Sequence, residues 1–136
     1  MKKLLTLACL TLFAVGIASA QQAGQQLISF TSKTPFTIGN ASLPAGNYMI
    51  STGDQDMGLF QCMNEAKGTS VMFEADASDT NSKGSSVTFL KYGDKMVLKS
   101  FSSGALQQSY FIPLSLPEKQ AKKAGVKPTK VTSPAN

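Results

Sequence analysis

Four groups of side chains in this chain have types and spacings that could do chemistry. Asp54-x-Asp56 offers two carboxylates to a divalent cation, and Asp76, Asp79 and Asn81 form a second oxygen cluster. Met57, Cys62, Met63 and Met72 are soft donors of the kind that hold Cu(I). Glu74 with Asp76 is a carboxylate pair near a strand end, the minimum for general acid–base work. Each falls short. Hard cations take six or more oxygens, and the spacing around Asp76 does not fit an EF-hand loop. Asp54 and Asp56 sit beside Gly53 and Gly58, where Asp is an ordinary turn residue. Strand alternation sends Cys62 and Met63 to opposite faces. Nothing in the pattern marks Glu74 or Asp76 as buried. The reading assigns no catalytic, cofactor-binding or metal residue, and no cofactor.

The residue types that are missing narrow the field further. The chain has no His and no Trp, and all 13 basic residues are Lys. Ser-His triads, Cys-His dyads, His metal sites and His proton shuttles are therefore excluded. Bidentate arginine clamps on phosphate or carboxylate are excluded with them. G-x-S-x-G and Gly-rich phosphate loops are also absent. The chain is expected not to be an enzyme.

The first residues carry an address. Lys2 and Lys3 precede an apolar run from Leu4 to Ile17, and Ala18-Ser19-Ala20 follows. Small residues at Ala18 and Ala20 are what signal peptidase accepts, so cleavage is expected before Gln21. The run is shorter than the roughly 20 apolar residues of a spanning helix, so no transmembrane span remains after cleavage. Residues 1–20 are thus read as a secretory signal peptide, and the protein as exported, periplasmic or extracellular. Cys9 leaves with the signal, and Cys62 stands alone as a buried thiol.

Charge is uneven along the mature chain. Residues 21–117 hold six Lys against seven acids, a net of −1; residues 118–136 hold five Lys against Glu118, a net of +4. The five are Lys119, Lys122, Lys123, Lys127 and Lys130. Nucleic-acid binding would want a basic stripe interleaved with aromatics on the folded face, so no nucleic acid is expected. A Lys-rich tail can instead dock to an anionic envelope surface, at about 1 kcal/mol per Lys. If the tail is mobile, removing residues 119–136 leaves the fold intact.

The elements that would position these residues are short strands between turn signals. Residues 21–26 read as a flexible N-terminus and 27–114 as a β domain. Pro44 and Gly46 mark a turn within LPAGNY, and Gly93-Asp94 joins two alternating runs, 86–92 and 95–101, into a hairpin. The polar stretch 76–85 reads as a surface loop. The fold class is all-β: a small antiparallel β-barrel or sandwich of about 7–8 strands, with a short C-terminal helix. Such apolar strands need their edges sealed. Ser115 and Glu118 form a capping box for a basic helix over 115–125, with Pro117 in its first turn and Gly125 at its end. Residues 126–136 are expected to be disordered.

PFTIGNASLPAGNYMI (35–50), VTFLKYGDKMVL (87–98) and Pro113-x-Ser115-x-x-Glu118, in this order, resemble a family of short, uncharacterised exported bacterial proteins of acidobacterial type. That family carries an LPAG-(T/N)-Y turn and a YGD hairpin. On this chain the pattern falls on Phe36, Gly39, Leu43 to Gly46, Tyr48, Phe89, Tyr92 to Asp94, Pro113, Ser115 and Glu118. Where the family often has His or Arg before the YGD, this chain has Leu90-Lys91. The resemblance implies export but no activity; its motifs read as turns, a hairpin and a cap.

The expected function is a non-enzymatic β domain of the envelope or periplasm, a binding or structural module whose partner is unknown. The alternative is a carrier holding an apolar ligand inside a small barrel. A barrel of this length would sooner fill its interior with side chains.

Overall fold

The computed structural model describes residues 24–54 and 57–136. The expected signal peptide, its cleavage residues Ala18, Ala20 and Gln21, and Asp56 lie outside the described residues. In chain order the elements are β1 (Gln26–Ser32), β2 (Phe36–Ile38), β3 (Ala41–Leu43), β4 (Gly46–Thr52), β5 (Leu59–Asn64), β6 (Ser70–Glu74), β7 (Asp76–Asn81), β8 (Ser86–Tyr92), β9 (Lys95–Ser103), β10 (Gln108–Phe111), α1 (Leu116–Lys123) and β11 (Thr129–Pro134).

Alternation builds the sheets. On β5, Phe60, Cys62 and Asn64 face inward while Leu59, Gln61 and Met63 face out. One sheet runs β1-β4-β5-β6; the other runs β11-β8-β9-β10-β7, with the β2–β3 hairpin held to β9. The ladders are antiparallel except for one parallel bridge, Thr37 to Val97. Among the described residues they form two sheets and not one closed barrel.

The sheets are tied together at both margins. Only Ala75 separates β6 in the first sheet from β7 in the second, and its N–H donates to the Gly58 carbonyl at 3.0 Å. At the other margin Asn136 exchanges two backbone hydrogen bonds with Ser29 of β1, at 2.8 and 2.9 Å.

Aromatic rings fill the space between the sheets. Phe30, Phe36, Tyr48 and Phe89 form one group, with centroids 5.0–6.1 Å apart. Phe60, Phe73, Phe101 and Tyr110 form another, with centroids 4.8–6.0 Å apart. Tilted and edge contacts dominate, the arrangement ring quadrupoles favour. Tyr48 is fully buried, and its hydroxyl donates to the Pro44 carbonyl. That bond pins the LPAGNY turn onto the core.

The hairpin expected around Gly93-Asp94 is present. Tyr92 opposes Lys95, and Gly93 takes φ +60°. That conformation costs glycine nothing and strains a side-chain-bearing residue.

Three segments differ from expectation. The polar run after Asp76 is not all loop: β7 pairs with β10. A polar strand is tolerated there because it lies at a sheet edge and its ladder satisfies the backbone. Ala41–Leu43 adds a third strand beyond the reading. The largest correction is the tail. Residues 126–136 were expected to be disordered, yet β11 pairs with β8 over six residues, Thr129 with Lys91 through Pro134 with Ser86. Val131 lies opposite Phe89 and packs against the core. Alternating Thr and Val between two prolines make a strand that closes the β8 edge. The surrounding Lys and Pro residues hide that signal.

Candidate functional site

The most concentrated chemistry lies where α1 meets the outer face of the larger sheet. The sequence sets this junction locally. Ser115 is extended at the N-cap; its side chain accepts from Glu118 N–H, and the Glu118 side chain accepts from Ser115 N–H at 3.3 Å. Pro117 stands in the first turn. At the other end Gly125 (φ +77°) and Val126 donate back to the Lys122 and Ala121 carbonyls, a Schellman closure.

A bulge supplies the partner from the sheet. Thr88 opposes Ser100 and Phe89 opposes Leu98, which leaves Lys99 as the extra residue on β9. Bulges re-aim side chains. Here the Lys99 ammonium donates to the Ile112 carbonyl at 2.7 Å and lies 3.5 Å from Glu118 Oε2. Tyr92, from the hairpin, donates to the same Oε2 at 3.3 Å. Ser115 Oγ lies 3.3 Å from Oε1. Glu118 is 1% exposed and Lys99 is 22% exposed. Burial, then the Glu118 carboxylate, pushes the Tyr92 phenol above its ordinary range.

This cluster joins two sequence motifs, the Tyr of YGD and the Ser-x-x-Glu cap. Its chemistry is that of a latch. Both carboxylate oxygens are taken by protein donors, and the group is shut away from solvent. The capping box and hairpin are legible from spacing. Lys99 is the residue that sequence reasoning missed, because its role depends on a one-residue bulge that alternation does not announce.

The other candidates separate in space. Cys62 is fully buried, and desolvation pushes its thiol from 9.0 up to about 12. Met63 lies half-buried on the opposite face, while Met57 and Met72 are exposed. Asp54, Glu74, Asp76 and Asp79 are exposed, with Glu74 on β6 and Asp76 on β7 in different sheets. Asn81 falls in the same edge strand as Asp79. Among the described residues no three of His, Cys, Asp and Glu converge on a cation-sized point.

The five C-terminal lysines are all exposed. They are not on a free tail. Lys119, Lys122 and Lys123 ride on α1, Lys127 follows it, and Lys130 lies on β11 opposite Leu90. Opposed residues share a face. Leu90 in turn opposes Val97, which borders a cleft with Pro117 and Ala121 of the helix. Lys130 therefore projects from the side of the sheet that α1 covers.

Compared with family models, with curated proteins and with solved structures, the chain matches none. Among the described residues no helix is long and apolar enough to cross a membrane.

Proposed function

We propose that this chain is exported by its N-terminal signal and works as a non-enzymatic β domain, docking to an anionic surface of the cell envelope through its lysine-bearing side. The observation that carries the reading is the fixed display of Lys119, Lys122, Lys123 and Lys130 on one side of the larger sheet. The Glu118 latch holds α1 there, so docking does not require ordering a flexible tail. Each lysine near an anionic surface contributes about 1 kcal/mol, reduced by salt.

Two observations support a module without catalysis. The one buried carboxylate found with a lysine and a tyrosine is consumed by helix capping and the latch. The residue types for nucleophilic or imidazole chemistry are absent from the sequence. The carrier alternative is weakened by the eight aromatic rings that occupy the interior. We read the two sheets, joined through Ala75 and Asn136, as a filled sandwich drawn toward a barrel.

The test is cosedimentation with phosphatidylglycerol vesicles and with neutral phosphatidylcholine vesicles. Wild-type protein should pellet with the anionic vesicles at low salt and be released by about 0.5 M salt, where the Debye length is a few ångströms. The K119E/K122E/K123E variant should stay in the supernatant with an unchanged melting curve. Equal pelleting of the two proteins contradicts the proposal.

A further inference from the structure

Sheet margins are where this fold is exposed to other chains, because an edge strand presents unpaired N–H and C=O groups. Most margins are protected. The outer edge of β1 is bonded to Asn136. β11 carries Lys130 and Pro134, and β7 carries Asp76 and Asp79. Lysine, proline and acidic residues are the usual means of blunting an edge.

β6 is different. Its sequence is SVMFE, with no Lys and no Pro, and it pairs only with β5. Its free side opens on a groove of about 670 Å³, whose far wall is the segment Ile112–Leu116. Met72 at the centre of the strand is 53% exposed, and Leu114 and Leu116 on the far wall are 39% and 62% exposed. The ends of this stretch carry opposite charges: Lys67 just before the strand and Glu74 at its end, both exposed. Such an arrangement complements itself. Turned antiparallel about a two-fold axis, the Glu74 end of one copy lies toward the Lys67 end of the other, at both ends of the contact.

We propose that the chain dimerises through β6, edge to edge and antiparallel, so that the four-stranded sheets of two copies join into one continuous sheet. An isologous contact of this kind closes on itself and leaves no edge to propagate. The partner's strand supplies the missing backbone bonds and covers the apolar wall of the groove. Dimerisation would also set two lysine-bearing sides on one particle, which raises avidity for a surface without any new contact. The proposal does not depend on the docking reading, and its failure would leave that reading untouched.

The test is sedimentation velocity on the exported, purified chain across micromolar concentrations. The wild type should shift from monomer to dimer. Met72→Lys should raise the dissociation constant at least tenfold with an unchanged melting curve, because the side chain points into solvent in the monomer. Lys67→Glu and Glu74→Lys should each weaken self-association. A mixture of those two variants should recover the dimer, since each contact then pairs unlike charges. A wild type that stays monomeric throughout overturns the proposal, and so does a dimer indifferent to Met72→Lys and to the charge exchange.

Discussion

Glu118 is a buried carboxylate whose stability depends on what faces it. Lys99, Tyr92 and the Ser115 N–H and hydroxyl are its partners. Removing one member of a buried pair costs more than the pair contributes, because the other charge is stranded. Lys99→Met should therefore destabilise the domain by about 3 kcal/mol. Glu118→Gln keeps the cap hydrogen bonds and leaves a lysine that is still partly wet, so it should cost about 1–2 kcal/mol. Urea melts of the two single variants and the double variant check this; additive losses would deny the coupling. Cys62 gives a second residue-scale prediction. A raised thiol pKa means the folded state holds its proton more tightly than the unfolded state. That contribution is intact below 9.0 and is lost as pH rises toward about 12. Above 9.0 the wild type should lose up to about 1.4 kcal/mol per pH unit from this one group. Cys62→Ala should start less stable but lack that part of the slope, as urea melts across alkaline pH would reveal. Equal slopes would mean the thiol titrates alike in both states.

At the scale of elements, the sequence reading succeeded where the signal was local. The capping box, the Gly93-Asp94 hairpin and the alternation of β5 are set by residues a few positions apart, and they stand as written. It failed where a segment's fate depends on a distant edge. Nothing within KPTKVTSPAN says that β8 lacks a neighbour, so a Thr/Val strand among lysines and prolines reads as disorder. The same applies to β7, polar in sequence and a strand only because β10 is there to pair with it. Lys99 was missed because a bulge is a property of two strands together. The candidate site was therefore half legible: its cap and hairpin tyrosine were visible, its ion-pair partner was not. The correction changes a prediction. Deleting residues 126–136 should not trim a loose end. It should unpair β8, release Asn136 from Ser29 and uncover Phe89, lowering the melting temperature and promoting aggregation. Circular dichroism melts and light scattering would show it; an unchanged melt would mean that β11 contributes no stability.

For the whole molecule, charge and architecture point the same way. The body is close to neutral, and the basic residues of the C-terminal region are collected on ordered elements over one side of a sheet. The interior is given over to aromatic packing, and the polar cluster beside it serves to hold the helix in place. The measurement that tests the account most directly is fractionation of cells producing the full chain, with intact-mass spectrometry of each fraction. The account predicts a chain beginning at Gln21 in the envelope fraction, released by salt. It predicts the K119E/K122E/K123E variant at the same processed mass in the soluble exported fraction. An unprocessed chain in the cytosol, or a variant that fractionates with the wild type, would contradict it.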